Sequence, residues 1–556
     1  MKAFLLTLIS FTAFLGAEHK GQMLYLMRSN ELSKSLALYE KHYKESSQHD
    51  FEILAQLSHI ILDQSSRSDD PEKGLLGLLG LGYAGISSSV DIMHILERGI
   101  KTHSIQTQLY AIQFLGRLQD DRSEELLTKA ISSEFLLIRL EAAYLLSIRK
   151  ERSAIGQIEA LMNKLPKAFR FYFPEFFLQI GSPEAISIVR HLLNDLNPQV
   201  RIATLLHAAM HNRDDLLPAI RSQAQQGSDA EREAALSALG FLKDSHSLPI
   251  LKKQANSPSI PMSLAALRSI YLLGETGVRE QIIEKAHQKN IFAIALLADI
   301  SQTEPVLIEL ISDKNIQVRF NAALSLLRHK NPACLDILYE ILIRDTRDLG
   351  FQPYFTAGAS LSAIKVIPSA EQHHREEYYD LRAISLSVRE QVLKESLELP
   401  EKKFLKLARR ILHSNQLELV PLLISLLENL QTTQALNLLK EASQKAGSPL
   451  VRNYCNLALF RLRQEGPYEQ RVYDWLYSKK KDEMIRFRPL SARMPHRKET
   501  PFELTPEENS RLLIESYAAL ADRHNNQSID ALLFALKEGK EKNRPLLAGL
   551  LLRAIQ

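Results

Sequence analysis

Apolar residues recur at helical spacing in the segment that runs from Pro305 to Leu327. The first stretch has apolar residues at Val306, Leu307, Leu310 and Ile311, and the second has Phe320, Ala323 and Leu327 on one face. A polar stretch at 312–315 separates them, and spacings of three and four residues are typical of a helix. Asn331 then suits a helix cap and Pro332 the first position of the next helix. The pattern predicts two helices joined by a short turn.

The same layout returns along the chain with a period near 31 residues. Its anchor positions are Gln108, Arg139, Arg170, Arg201, Glu231, Met262, Asn290 and Arg319, separated by steps of 31, 31, 31, 30, 31, 28 and 29 residues. Three positions after each anchor stand Ala111, Ala142, Phe173, Thr204, Ala234, Ala265, Ala293 and Ala322, so six of the eight are alanine. Short side chains suit a point where two helices cross closely. A repeated helical hairpin leaves an apolar face that its neighbour covers, which predicts an all-α fold, an α-solenoid.

Several of these segments resemble the second helix of a HEAT repeat. The match is best at "NIQVRFNAALSLLRHKNP" (315–332), and it is partial at "NPQVRIATLL" (197–206) and "SPLVRNYCNLALFRL" (448–462). The resemblance covers 104–345 clearly and 383–478 faintly, and the short period is similar to that of HEAT-like phycobilin lyases. It implies an armadillo-type superhelix of helical hairpins and a scaffold that binds other proteins, because most HEAT arrays do so.

The periodicity weakens at both ends and in the middle of the chain. We therefore predict a signal peptide at 1–17, N-terminal helical hairpins at 18–103, a HEAT-like array at 104–345, an irregular insertion at 346–382, a second helical array at 383–478, a basic loop at 479–505 and a C-terminal helical cap at 506–556. In the last segment, Thr505 and Glu508 have the spacing of a capping box.

The first seventeen residues have the layout of a secretory signal peptide. A short positive start, Met1-Lys2, precedes the apolar run Ala3 to Leu15, and Gly16-Ala17 supplies small residues at the expected cleavage site. The run is shorter than the roughly 20 residues that span a bilayer. A buried N-terminal helix is the alternative. The sequence predicts export to the periplasm, the cell envelope or the medium.

Composition excludes several classes of protein. Of the 556 residues, 45% are hydrophobic and 24% charged, with 21 glycines and 22 prolines, which excludes a disordered or collagen-like chain. The net charge is +4. A protein that binds nucleic acid along its whole length carries a much larger basic excess, so nucleic acid is not an expected partner.

The strongest local charge lies in the tract from Ser478 to Lys498. Its basic residues are Lys479, Lys480, Lys481, Arg486, Arg488, Arg493, Arg497 and Lys498, against Asp482 and Glu483. Such a tract can bind an acidic partner, the lipid headgroups of a membrane surface or nucleic acid. A solvated loop without a binding role is the other interpretation.

Four arginines share one phase of the repeat: Arg139, Arg170, Arg201 and Arg319. They either line a binding face or pair with acidic groups of neighbouring turns and fix the register of the array. We favour the second role, in which each exposed pair contributes only about 0–1 kcal/mol.

Three motifs suggest chemistry, and each has a simpler explanation. The "GLGYAG" stretch, Gly80 to Gly85, matches dinucleotide-binding spacing but lacks a convincing preceding strand, so close helix packing is favoured. The "HHREE" stretch, His373 to Glu377, holds metal-type ligands but is more typical of a charged loop. Cys334 lies in an apolar helical pattern and suits packing better than nucleophilic attack.

A disulfide between Cys334 and Cys455 is not expected. The two residues are 455 − 334 = 121 positions apart, about four repeats, and stacked helices advance roughly 10 Å per repeat. A disulfide allows only about 7 Å between α-carbons.

These patterns favour a non-catalytic scaffold of an exported protein that binds partner proteins through an extended helical surface. No catalytic, cofactor-binding or metal-ligating residue and no cofactor is predicted. Two alternatives remain open. One is a HEAT-like lyase-type or ligand-binding enzyme, which needs a ligand-sized cleft with convergent polar groups. The other is an envelope-associated assembly factor that uses the basic tract at 478–498.

Overall fold

A computed structural model describes residues 20–85, 92–343, 349–368, 381–414, 416–479, 483–488, 491–492, 502–503 and 506–556. The described residues fall into two compact units. The first unit takes its residues from Met1–Ala142, Arg452–Leu490 and Leu504–Gln556, and the second from Ala143–Val451 and Ser491–Glu503. The predicted signal peptide at 1–17 lies outside the described residues.

Helices make up most of the described chain. The α-helices are 20–28, Leu32–Ser46, Phe51–Ser66, Pro71–Tyr83, Met93–Lys101, Ile105–Arg117, Asp121–Ala130, Leu136–Ile148, Ile155–Lys164, Phe173–Ile180, Pro183–Leu192, Pro198–Met210, Leu217–Gln226, Asp229–Phe241, Leu248–Ala255, Ile260–Leu272, Arg279–His287, Ile291–Leu296, Glu304–Leu310, Ile316–Arg328, Leu335–Ile343, Leu381–Glu395, Glu401–Leu412, Val420–Leu430, Thr433–Lys445, Pro449–Arg461, Tyr468–Lys479, Glu508–Ala521, Asn526–Glu538 and Arg544–Ile555. Short 3-10 turns are Arg152–Ala154, Lys167–Tyr172, Asp214–Leu216, Ser245–Ser247, Thr276–Val278, Leu297–Asp299, Pro332–Cys334, Ser396–Glu398, Leu417–Leu419 and Glu541–Asn543. The predicted α-solenoid class is confirmed.

Asparagine caps begin the second helix of several repeats. The side chains of Asn197, Asn290 and Asn315 each accept a hydrogen bond from a backbone N–H in the first turn of the helix that follows. Such caps satisfy donors that have no partner within the helix. Asn331 also caps as predicted, but Pro332 opens a 3-10 turn, and the α-helix begins only at Leu335.

Small buried residues let successive second helices approach closely. The predicted alanines Ala111, Ala142, Ala234, Ala265, Ala293 and Ala322 are all fully buried. A Cβ on Gly240 would lie 2.5 Å from Ser269 Cβ on the next second helix. Ser269 Oγ donates to Leu236 O at 2.8 Å, and Ser325 Oγ donates to Ile294 O at 2.9 Å. Each serine therefore adds a hydrogen bond between neighbouring second helices.

The first unit brings the two ends of the described chain together. Helix Arg544–Ile555 packs against Phe51–Ser66 and Pro71–Tyr83. A Cβ on Gly549 would lie 1.9 Å from Gly80 O, so the two helix backbones are in direct contact there. Gly80 therefore serves close helix packing. The sequence pattern predicts separate segments at 18–103 and 506–556, whereas the described residues of both lie in one unit.

The predicted irregular insertion contains a regular element. Strands Leu349–Phe355 and Ser362–Pro368 pair antiparallel, with Leu349 opposite Pro368 and Phe355 opposite Ser362. We call residues 349–368 the hairpin. The expectation of irregular structure was wrong here because Gly350 and Pro353 interrupt the sequence pattern of a strand.

The segment assigned to a basic loop also holds paired residues. Ser491–Ala492 pairs with Phe502–Glu503, and Phe487 forms an isolated bridge with Pro506. Three α-helices rather than the predicted pair follow the tract, and the first of them begins at Glu508. Its cap residue Glu507 makes no side-chain capping bond. The predicted capping box is therefore wrong, since Glu508 opens the helix instead of standing three positions inside it.

The structure also bears on membranes and metals. In the part of the chain that the structure describes, none of the helices is long and apolar enough to cross a membrane. The same residues contain no group of three or more side chains placed to hold a metal ion.

Glu141 is a buried carboxyl group in the first unit. Gln113 Nε2 donates to its Oε1 at 3.1 Å, and its Oε2 has no hydrogen-bond partner among the described residues. Burial raises the pKa of Glu141 from 4.5 to about 7, because a charged carboxylate loses its hydration. Between about pH 4.5 and about pH 7, Glu141 therefore keeps its proton in the folded protein and releases it in the unfolded chain.

We expect Glu141→Gln to stabilise the protein at high pH. Because its pKa is raised in the folded protein, Glu141 makes a contribution to the free energy of unfolding that is fully present below its ordinary pKa of 4.5. This contribution is lost as the pH rises through about 7. One pKa unit corresponds to about 1.4 kcal/mol, so the wild type loses about 3 kcal/mol on alkalisation that the neutral amide does not lose. Denaturant midpoints at about pH 5 and about pH 8 measure this difference.

The matched control is Glu309→Gln, a change of the same size at an exposed position. Its effect on stability should be close to zero at both pH values. A Glu141→Gln variant that is destabilised equally at both pH values would show that the carboxylate is charged and paired in the folded protein.

Candidate functional site

The second helices of four consecutive repeats form a continuous face in the second unit. They are Asp229–Phe241, Ile260–Leu272, Ile291–Leu296 and Ile316–Arg328, and we call their shared surface the second-helix face. The hairpin packs on this face and against helix Leu381–Glu395. A HEAT-like array was expected to offer this face to a partner, and the structure places a segment of the same chain on it.

Glu233 holds the tip of the hairpin. Its side chain is buried, and its carboxylate accepts hydrogen bonds from Thr356 Oγ1, from Gly358 N at 3.1 Å and from Ser360 Oγ at 2.6 Å. A buried carboxylate is costly unless its oxygens are hydrogen-bonded. Three donors from a single turn meet this requirement, so Glu233 ties the turn to helix Asp229–Phe241.

The turn of the hairpin needs glycine at position 358. A Cβ on Gly358 would lie 2.4 Å from Ala230 O and 2.8 Å from the carboxyl carbon of Glu233. Contacts this short do not occur for real side chains, so the backbone can approach the helix only because position 358 has none. The next residue, Ala359, has a positive φ of 51°.

Asn321 holds the middle of the second strand. Its Nδ2 donates to Ile364 O at 2.9 Å, and Ile364 N donates to its Oδ1 at 2.8 Å. The side-chain amide thus pairs with both backbone groups of one strand residue, as a neighbouring strand would. Asn321 Nδ2 also donates to Gln317 O at 2.8 Å, which fixes the amide on its own helix.

Aromatic contacts complete the docking of the hairpin. Phe351 meets Phe320 with ring centroids 5.6 Å apart, and Tyr354 stacks on Phe292 at 5.5 Å. Such pairs add about 0.5–1.5 kcal/mol beyond the area that they bury. Phe351 N also donates to Ser385 Oγ at 3.3 Å. The hairpin is thereby anchored on three helices of the second-helix face and on helix Leu381–Glu395.

A cleft of about 410 Å³ lies beside the hairpin, within the second unit. Its charged lining includes Arg268, which pairs with Asp299, and Glu395, which accepts from Gln391 at 2.7 Å. Arg328 also lines it, is exposed, and has no acidic group within 4 Å among the described residues. The cleft can therefore contact a small polar group.

Two hydroxyl groups of the cleft are already engaged. Ser325 donates to a backbone carbonyl and Ser360 donates to Glu233. The described lining contains no histidine or cysteine. Both hydroxyl groups therefore have hydrogen-bond acceptors within the second unit.

The basic tract is described only in part. Lys479 Nζ pairs with Glu483 at 2.9 Å, and Arg488 pairs with Glu508. Arg486 is exposed. The remaining predicted residues, Lys480, Lys481, Arg493, Arg497 and Lys498, lie outside the described residues. Partner binding by this tract stays a prediction, although two of its charges have acidic partners within the chain.

The four recurrent arginines have different surroundings. Arg170 pairs with Asp195 at 3.2 Å, Arg201 pairs with Glu231, and Arg319 lies 3.6 Å from Glu340. The Nε of Arg139 is buried without a hydrogen-bond partner among the described residues. Burial alone would raise the pKa of Glu231, but hydrogen bonds from Arg201 and Ser228 outweigh it and lower the pKa to about 2. The role of the four arginines in repeat register stays a prediction.

The motifs that suggested chemistry have structural roles where they are described. Gly80 to Tyr83 end helix Pro71–Tyr83, so no strand precedes the glycines as dinucleotide binding requires. Cys334 is buried, its Sγ donates to Asn331 O at 3.0 Å, and burial raises the pKa of its thiol to about 12. Cys334 and Cys455 are both free thiols. His373 to Glu377 lie outside the described residues.

Glu233 and Asn321 are two site residues that the sequence pattern did not single out. Both lie within the repeat pattern, next to the small residues Ala234 and Ala322. A polar side chain at a buried helical position is the signal that could have identified them, since such groups need hydrogen-bond partners.

Comparison with known proteins agrees with this architecture. The family model for HEAT repeats matches residues 186–270. No curated protein matches the chain. The protein is a HEAT-repeat helical solenoid.

The solved structures that match this chain are distant in sequence. The complex of CpcE and CpcF of phycocyanin lyase from Nostoc sp. PCC7120 is 20% identical over 37% of this chain and 87% of that chain, with a TM-score of 0.29. The karyopherin Kap121p bound to the SUMO protease Ulp1p is 13% identical over 98% of this chain and 61% of that chain, with a TM-score of 0.35. UNC-45 from Drosophila melanogaster is 13% identical over 96% and 82%, with a TM-score of 0.31.

Proposed function

We propose that this protein is a non-catalytic scaffold that binds partner proteins through the surfaces of its helical repeats. One observation carries the proposal: the second-helix face binds an extended segment, the hairpin, through side chains that recognise backbone and hydroxyl groups. Asn321 pairs with the backbone of Ile364, and Glu233 accepts from the turn. The repeats thus supply a rigid surface with fixed polar groups, which is what recognition of an extended partner requires.

Binding to such a scaffold needs no chemical step. Packed helices hold the polar side chains in place, so little conformational entropy is lost when a partner binds. The hairpin covers the second-helix face from Asp229–Phe241 to Ile316–Arg328. We therefore propose that a partner either displaces the hairpin or binds the array elsewhere.

Photo-crosslinking in the native cell tests this proposal. A photoreactive residue replaces Arg328, which lines the cleft, or Lys164, which is exposed on another repeat. We expect the variant to crosslink one protein in the cell and to crosslink the same protein when the two are mixed after purification. A peptide of that protein should compete with it for the crosslink. The proposal fails if no protein is crosslinked from any exposed repeat position and the purified chain turns over a small-molecule substrate.

We also propose that the protein is exported. The support is the charged start, the apolar run and the small residues at the expected cleavage site within the first seventeen residues. Amino-terminal sequencing of the protein isolated from its cell should begin close to Glu18. Recovery of a chain that still begins at Met1 would contradict export by cleavage.

A further inference from the structure

A groove with one basic wall lies between the first helices of two repeats, within the second unit. It runs between Glu401–Leu412 and Thr433–Lys445, which are the first helices of two consecutive repeats, and its volume is about 530 Å³. The hairpin occupies second helices, so this groove lies on other helices of the array. We call it the first-helix groove.

Three lysines on one helix give the groove its charge. Lys402, Lys403 and Lys406 are exposed, and none has an acidic group within 4 Å among the described residues. The acidic side chains nearby are engaged elsewhere: Glu401 accepts from Thr432 Oγ1, and Glu441 pairs with Arg409 at 2.9 Å. The first-helix groove therefore carries uncompensated positive charge.

The facing helix supplies amide groups, and the floor between the two helices is apolar. Gln434 and Asn437 line the groove, are exposed, and make no side-chain hydrogen bond in the described structure. Leu405 and Leu438, which are 9% and 3% exposed, form the floor. An occupant thus meets ammonium groups on one side, free amides on the other and apolar surface beneath.

We propose that the first-helix groove binds an acidic, extended segment of a partner protein. Carboxylates of the segment would pair with the three lysines, its backbone would bind Gln434 and Asn437, and an apolar side chain would cover Leu405 and Leu438. Complementary charge of this kind steers a partner and selects it against basic ones. The proposal rests on the proposed scaffold function and names the chemistry of one partner.

The lining favours a protein segment over nucleic acid or lipid. Single-stranded nucleic acid binds where aromatic rings stack on its bases, and the lining contains no aromatic residue. A membrane surface attracts a broad basic patch, whereas here a narrow groove has an apolar floor and a polar amide wall. An acidic peptide uses both walls, because its carboxylates pair with the lysines and its backbone binds the amides.

Fluorescence anisotropy with the full chain tests the proposal. The probes are a labelled peptide of alternating glutamate and leucine, the same peptide with glutamine in place of glutamate, a single-stranded oligothymidine, and vesicles that contain phosphatidylserine. The test variant is Lys402→Glu/Lys403→Glu/Lys406→Glu. The control variant, Lys164→Glu/Lys253→Glu/Lys314→Glu, changes the net charge equally at exposed lysines of other repeats.

We expect the glutamate peptide to bind and the glutamine peptide to bind far more weakly. The groove variant should weaken glutamate-peptide binding about tenfold or more, since each exposed charge pair contributes up to about 1 kcal/mol. The control variant should bind as the wild type does. Added salt should weaken binding, because it screens exposed charges.

Two results of the anisotropy measurements would overturn the proposal. One is equal loss of peptide binding in the groove and control variants, which shows attraction by net charge alone. The other is groove-dependent binding of the oligothymidine or the vesicles without binding of the glutamate peptide. Crosslinking in the cell separates this proposal from the scaffold function. If the groove variant still crosslinks the partner of the wild type, the scaffold function stands and the first-helix groove is not the site of that partner.

Discussion

Replacing Gly549 with alanine should destabilise the first unit by about 5 kcal/mol, a large effect for a single substitution. The added Cβ would lie 1.9 Å from Gly80 O and 2.3 Å from Gly80 C. Both contacts are to helix backbone, which cannot rotate away as a flexible side chain can. The helices Arg544–Ile555 and Pro71–Tyr83 would have to move apart and lose packing along their length.

The matched control for this prediction is Gly156→Ala, the same change in another helix. A Cβ at Gly156 meets nothing within 4 Å. Alanine is the better helix former by about 1 kcal/mol, so this variant should be as stable as the wild type or slightly more stable. Thermal and denaturant unfolding midpoints compare the two variants. Equal midpoints for Gly549→Ala and Gly156→Ala would contradict the close contact between the two helices.

Replacing Glu233 with alanine should release the hairpin at a cost of about 4 kcal/mol. The change leaves Thr356 Oγ1, Gly358 N and Ser360 Oγ without their common acceptor. Hydrogen bonds to charged groups contribute roughly 1.5–3 kcal/mol each, and part of the loss is recovered when the turn moves into water. Limited proteolysis should cut the variant within 349–368 much faster than the wild type.

Two further substitutions make this prediction specific. Ser362→Ala, on the same hairpin, removes an exposed hydroxyl that makes no hydrogen bond among the described residues, so cleavage should not change. Gly358→Val should resemble Glu233→Ala, because its side chain would collide with Ala230 O. Unchanged protease resistance in both Glu233→Ala and Gly358→Val would show that the turn is held by other contacts.

The repeat itself was predictable because its signals are local. The alanines at positions such as 234, 265 and 322 and the caps Asn197 and Asn315 depend only on neighbours within one helix or the next repeat. Such signals return with the period, and each repeat therefore supports the interpretation of the others. The same regularity is sufficient to place the second helices from the amino-acid pattern alone.

The candidate site depends on contacts between distant parts of the chain. Thr356 bonds with a residue 123 positions away, and Ile364 bonds with one 43 positions away. Nothing in the residues around Glu233 or Asn321 indicates which segment will supply their partners. The hairpin also lacks regular alternation of apolar and polar residues, since it packs against helices on the second-helix face and against helix Leu381–Glu395.

The contact between the two ends of the described chain escaped prediction for the same reason. Gly80 lies in a motif that suggested a phosphate-binding turn, whereas Gly549 lies in an ordinary apolar helical pattern. The need for glycine at both positions is evident only in the folded structure, where the backbones of the two helices are in contact. A period of 31 residues carries no information about which repeats meet beyond their immediate neighbours.

Hydrogen–deuterium exchange of the full-length wild-type protein can show whether the hairpin covers the second-helix face, on which the proposed function depends. The amides of Gly358 and Ile364 donate to Glu233 and Asn321. We therefore expect them to exchange as slowly as amides of helix Ile316–Arg328 and to become fast in Glu233→Ala. Rapid exchange throughout 349–368 in the wild type, at the rate of exposed backbone, would mean that the hairpin does not cover this face.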